Sequence, residues 1–389
     1  MEAQARPFRP TRFLLVAWAI TVCINAFYIS PAPVFPYMIE NLSISKALAG
    51  SLISLYLVAI LLFQLPSGFA MDRADPRKLI LVSSAVLLGL SALMTALPRY
   101  DALLVLRILA GIPVAFIFAP SAFLVSRAFE RSPARAVGIF LSAPPAGVAL
   151  GNLLGPWVAA VFGWPVVFVA FNLPLLALLP LFARVASSLP PRNHEAFGVT
   201  DFVSSFRNRE LWKVGAAFAA SYAAYIFYAS WTPTYLPEVG ITDLALVGIL
   251  SSAIPAAGIL ARPLGGLLAE TAFGHDKRWV PGISFVGLAG VGAAIPLLAE
   301  SGTVLLVVAG FLAQFPFSVY YLFSSQVLPR RFGGTAYAFM NTISLIGGSI
   351  SPVLAGLLAD VTGSFEAAFG MIAVTALLGF VVVLAVRER

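Results

Sequence analysis

Between Leu79 and Leu97 the chain reads LILVSSAVLLGLSALMTAL, nineteen residues without a charge. A helix needs about 20 such residues to cross the hydrocarbon of a bilayer. In that medium every backbone N–H and C=O must find its partner within the chain, so helices and closed barrels are the only spanning structures. Runs of this kind recur along the whole length, separated by prolines, glycines and short charged loops. They predict twelve membrane helices, over residues 13–39, 45–70, 77–97, 101–126, 134–161, 164–184, 212–236, 243–269, 279–298, 302–327, 335–359 and 365–386. Composition agrees: 11% of residues are charged, where a soluble chain carries about a quarter.

Basic residues set the orientation. With both termini cytoplasmic, the segments on that side hold 20 of the 24 Lys and Arg, while the outer loops hold Lys46 and Arg99. The positive-inside rule then predicts a multi-pass protein of the cell membrane with both tails inside. The net charge of +7 reflects topology and contact with anionic lipid, and nucleic acid is not an expected partner. The single Cys23 sits in an apolar segment, so no disulfide or zinc site can form. No cofactor is expected. The most hydrophilic piece, RVASSLPPRNHEAFGVTDFVSSFRNRE (184–210), reads as a linker. The expected organisation is a cytoplasmic tail (1–12), a six-helix bundle (13–184), a cytoplasmic linker (185–211) and a second six-helix bundle with a short tail (212–389).

The halves repeat one another. NAFYISPAP (25–33) is answered by YIFYASWTP (225–233), with Phe, Tyr, Ser and Pro in the same four places. GFAMD (68–72) returns as GLLAE (266–270), Ala136 as Ala336, and GNLLGP (151–156) as GGSISP (347–352). Two six-helix halves in parallel topology are an architecture of secondary transporters. Prolines in the outer thirds of helices one and seven (Pro31, Pro33, Pro36; Pro233, Pro237) free backbone carbonyls and permit bending.

The loop after helix two, GFAMDRADPRK, resembles the Gly-x-x-x-Asp-Arg-x-Gly-Arg-Arg/Lys signature of the major facilitator superfamily, with Gly68, Asp72, Arg73, Arg77 and Lys78 in place and Asp75 where the family has glycine. RILAG (Arg107, Gly111) and GNLLGP, ending in Pro156, resemble its fourth- and fifth-helix motifs. The resemblance implies an all-α fold of twelve helices in two pseudo-symmetric bundles, working by alternating access. It also implies a cytoplasmic gate at Gly68, Asp72, Arg73 and Arg77, with Gly266 and Glu270 as the degenerate second copy. The alternative is that these charges only enforce topology.

Gly147, Gly151 and Gly155 in helix five stand four apart, and Gly258 and Gly266 share a face of helix eight. Small residues in such stripes let backbones approach. The resemblance implies that helices five and eight cross between the halves, as a sliding contact or as static packing. The same resemblance has helices one, four, seven and ten line the central cavity, for which Asn25, Tyr28, Tyr228, Tyr320 and Asn341 are the polar candidates. Tyr222, Tyr225, Tyr228 and Trp231 are three apart, so each step lags by about 60° and they cannot all face one cavity.

No Asp, Glu, Lys or His falls in mid-span, but two arginines do. Arg107 could line the outer cavity or snorkel. Arg262 lies about 12 Å inside helix eight from Glu270. A guanidinium at that depth costs at least about 2.5 kcal/mol unless compensated, and a planar carboxylate matches its fork; the alternative is that Arg262 snorkels to the cytoplasmic face or bonds carbonyls across the contact of helices five and eight. The surrounding ARPLGG resembles the eighth-helix segment of nitrate and monocarboxylate carriers of the superfamily. The chain therefore reads as a non-enzymatic carrier, active as a monomer in the lipid bilayer, for a small organic anion, a mono- or dicarboxylate. The alternative within the superfamily is a multidrug or small-molecule efflux antiporter.

Overall fold

The computed structural model describes residues 10–129, 133–187, 189, 207–274, 276–327 and 333–386. The side chain of Asp72 lies outside the described residues, as do most of the expected tail 1–12 and linker 185–211. The described chain is helical, with no strand. Its twelve spans are α1 (Pro10–Leu42), α2 (Lys46–Arg73), α3 (Pro76–Ala96), α4 (Tyr100–Ala128), α5 (133–162), α6 (Val166–Ala186), α7 (Arg209–Glu238), α8 (Leu244–Glu270), α9 (Trp279–Leu298), α10 (303–327), α11 (Gly333–Thr362) and α12 (Glu366–Leu384). Every end falls within three residues of the sequence expectation. Eleven spans are long and apolar enough to cross a membrane by composition; α7, diluted by Arg209, Glu210, Lys213 and its tyrosines, is the exception.

Short polar side chains start several helices. Ser45, Asp75, Asn208 and Asp243 accept backbone N–H bonds in the first turns of α2, α3, α7 and α8, which offsets donors that no helix can satisfy for itself. Asp75, the departure from the family loop, is thus the cap of α3. Its carboxylate also grips Arg77, whose Nη1 reaches the carbonyls of Ala186 and Leu189 beyond α6. Arg278 does the same in the second half, held by Asp276 and bonding Leu384 and Val386 beyond α12. The repeat is therefore kept in geometry where its letters had drifted. Burial pushes the Asp75 carboxyl up, but the hydrogen bonds and charge of Arg77 outweigh it and hold the group below its ordinary range.

These clamps define one face of the molecule, where α6 and α12 end and α7 begins; it is called here the linker face, and the opposite one the far face. Within each half the glycines decide which helices touch. A Cβ on Gly147, Gly151 or Gly155 would run into Val22, Ile29 or Pro33 of α1. One on Gly347 would strike Ala219 of α7, the matching contact of the other half. Gly147, Gly151 and Gly155 therefore serve packing inside their own half, while α5 and α8 do cross between the halves, as the family resemblance implied. Gly258 and Gly265 of α8 likewise face α10, at Gln314 and at the Phe315 carbonyl. Pro156 is buried inside α5, one residue after Gly155.

Two of the contacts between the halves on the far side rest on glycine. In α2, a Cβ on Gly50 would collide with the carbonyl of Pro352 in α11; in α8, one on Gly248 would come within 2.7 Å of the carbonyl of Leu153 in α5. Gly50 and Gly248 are 198 residues apart, so the contact is written once in each half.

Candidate substrate cavity

The far side of the molecule is shut by aromatic packing. Trp231 of α7 is buried against Phe35 of α1 and Phe365 at the start of α12, with ring centroids 5.0 and 5.2 Å apart, and its Nε1 donates to Pro352 in α11. Above it the Asp360 carboxylate, from the end of α11, accepts the N–H groups of Lys46 and Ala47 at the start of α2 (2.9 and 2.8 Å). Lys46 pairs with Glu238 at the end of α7 (2.7 Å). Toward the linker face there is instead a cavity of about 450 Å³, whose walls run through Gln64, Gly138, Tyr321 and Asn341. Gly138 has open space beside it.

Arg262 is the charged residue on this wall. Its Nη2 donates to Gln314 Oε1 (2.8 Å) and its guanidinium lies over the Phe317 ring, 4.8 Å from the centroid. Gln314 is buried and held by its own amide N–H bonds to the carbonyls of Ile254 and Gly310, so its oxygen is fixed toward the arginine. Gly258 leaves the room for that amide. Nε of Arg262 is buried without a partner, and no described carboxylate pairs with the guanidinium. An unmatched planar donor fork beside apolar rings can take a carboxylate by two hydrogen bonds.

Around it stand Asn25 and Tyr28 of α1, Tyr56 of α2, Tyr222 and Tyr225 of α7, and Asn341 of α11. Four of the seven expected substrate residues thus share the cavity: Arg262, Asn25, Tyr28 and Asn341. The other three are placed elsewhere. Tyr228 turns away, packed against Phe369 of α12 with its hydroxyl beside Gly292 of α9. From Tyr222 to Tyr228 the helix rotates the side chain by about 120°, and Tyr222 and Tyr225 take the cavity side. Tyr320 is stacked on Phe218, its hydroxyl bonded to Ser221, while its neighbour Tyr321 lines the cavity.

Arg107 is fully buried and neither lines the cavity nor snorkels. Its nitrogens donate to the carbonyls of Leu52, Phe27 and Tyr28, with the Tyr56 ring 4.2 Å from the guanidinium. Phe27 and Tyr28 stand at the break in α1 where Pro31 cannot donate to the turn below it. The arginine of α4 supplies what the proline removed. Asn152 performs the same service across the halves. Its Nδ2 bonds the carbonyls of Ala229 and Ser251 (2.9 and 3.4 Å), each four residues before a proline, Pro233 and Pro255.

Of the expected gate residues, Gly68 and Gly266 are half-buried and Arg73 and Glu270 exposed on the linker face, where the cavity opens. Arg77 is engaged with α6. Gln314, Tyr56, Phe317 and Phe218 were absent from the expected site. Their signal was weak, one amide in an apolar helix and three rings among many.

A far face latched shut and a cavity between two like halves with one guanidinium on its described lining define a membrane carrier. Residues 17–352 match the Major Facilitator Superfamily, and the chain belongs to that family of transporters. Among relatives, it is 22% identical to the hexuronate transporter of Bacillus subtilis, covering 86% of this chain and 84% of that one. It is 23% identical to the cis,cis-muconate transport protein of Acinetobacter baylyi, over 82% and 80% of the two chains. A solved structure of a bacterial homologue of the human lysosomal transporter Spinster, inward-facing and unoccupied, superposes with a TM-score of 0.78 at 16% identity, covering 97% and 95%.

Proposed function

We propose that this chain carries a small organic anion, a mono- or dicarboxylate, across the cytoplasmic membrane by alternating access, as a monomer, with Arg262 as the anion-binding group. The observation that carries the reading is the unpaired guanidinium of Arg262, held toward the cavity by Gln314. Relatives named for hexuronate and muconate, both carboxylates, support it. In this reading the linker face is cytoplasmic, in keeping with its basic residues, and the two bundles rock between an inward-open state and one open to the outside. Gly68, Asp72, Arg73 and Arg77, with Gly266 and Glu270, would then form the cytoplasmic gate, assembled when that side closes. An efflux antiporter for cationic drugs would want a carboxylate in the cavity, and the lining has none among the described residues.

A thermal-shift screen of the purified protein against small anions tests the site. A carboxylate should raise Tm in the wild type and lose that effect in Arg262→Lys and Arg262→Ala. Stabilisation surviving in Arg262→Ala would remove the arginine from the site. The orientation is checked by a cysteine at Lys46, which a membrane-impermeant reagent should label in intact cells, and one at Asn193 in the linker, which it should not.

A further inference from the structure

We propose that the anion is an aryl monocarboxylate with a polar group at the end of the ring opposite its carboxylate, rather than a polyhydroxylated sugar acid; this rests on the anion reading above. Three features of the same cavity lead there. The first is charge: one guanidinium meets one carboxylate, and among the described residues no second cation lines the wall to receive another. The second is the wall itself, in which eight of the lining residues are aromatic, drawn from both halves. Tyr222, Tyr225 and Phe317 form one cluster, with centroids 5.9 to 6.2 Å apart, directly beside Arg262. Tyr28 and Tyr56 form a second, stacked at 5.5 Å and 22°. Both clusters and the guanidinium line the same cavity, so a flat body there can meet rings from both halves.

The third feature is where the polar groups have spent their protons. Thr21, Ser142, Ser318 and Ser344 donate to the backbone carbonyls of Ala17, Ile139, Arg262 and Asn341, and the amide of Asn25 donates to Thr21. A sugar acid brings several hydroxyls that each lose water on entering, and a buried polar group without a partner costs about 1–3 kcal/mol. The donors this wall still has free include the hydroxyls of Tyr222 and Tyr225 and the amides of Gln64 and Asn341, half of them carried on rings. The hydroxyls of Tyr28 and Tyr56 are buried with no partner at all. A phenol or carbonyl at the far end of the ring would satisfy them, the carboxylate would take Arg262, and the ring would pack between.

Calorimetry on the purified full-length protein tests this with benzoate, para-hydroxybenzoate, cyclohexanecarboxylate, benzamide and glucuronate. Benzoate should bind about tenfold tighter than cyclohexanecarboxylate, the scale of one or two aromatic contacts, and tighter than glucuronate. The para-hydroxyl should tighten binding about fivefold further, a gain that Tyr28→Phe with Tyr56→Phe should erase. Benzamide should not bind. Tyr225→Leu should abolish the preference for the aryl ring, and Tyr225→Phe, which keeps the ring and guards against a folding defect, should retain it. Glucuronate binding as tightly as benzoate overturns the aryl proposal and leaves the anion site standing. Failure of every carboxylate to bind, with the protein folded, removes the anion site and the proposal together.

Discussion

Two arginines stand in mid-span, and their surroundings give them opposite tasks. Arg107 spends its donors on three backbone carbonyls, two of them at the break in α1, whereas Arg262 lines the cavity with one hydrogen bond, to Gln314, and no carboxylate partner among the described residues. Arg107→Met should therefore destabilise the ligand-free protein by about 2–4 kcal/mol, because buried carbonyls lose their partners. Arg262→Met, which strands one buried acceptor, Gln314 Oε1, should cost less ligand-free stability than Arg107→Met and erase the response to anions. Thermal unfolding of both variants with and without benzoate separates the two roles; equal losses of ligand-free Tm would contradict the assignment. The sequence could place both residues in the membrane but could not divide them. The partners of Arg107 are carbonyls 55 to 80 positions away, which no spacing rule reveals. Tyr228 shows the same limit. It matches Tyr28 letter for letter, yet α1 breaks after Ile29 while α7 runs on through Pro233, so equivalent letters face different neighbours.

At the scale of elements the sequence was far more legible, because apolar length and breaker residues act locally. All twelve spans, the prolines as sites of freed carbonyls and the twofold repeat could be read from it. The glycine stripes were visible too, but not what they touch, since a small residue declares a close approach without naming its partner. The far-side glycines supply a sharper expectation. Gly50→Leu places a side chain where the Pro352 carbonyl stands, so α2 and α11 cannot close, and the carrier should be held open on that side. Spin labels at Ser43 and Thr362 should report a longer mean distance in this variant than in the wild type. Gly248→Leu should act alike through α5 and α8. An unchanged distance in both would show that the halves do not separate along these helices.

For the whole molecule, the balance between states is set by how firmly the far face is held. Asp360 caps the first turn of α2 from the opposite half, and the loss of such a cap is worth about 1 kcal/mol. Asp360→Ala should then shift the population toward the far-open state about fivefold, read from the same label pair. Part of that latch is ionic and close to water: Lys46 and Glu238 are 20% and 37% exposed. Charges so placed feel the salt of the medium, whose screening length shrinks from about 30 Å at 0.01 M to about 3 Å at 1 M. High salt should therefore loosen this latch and low salt tighten it, so the distance between labels at Ser43 and Thr362 should lengthen as ionic strength rises.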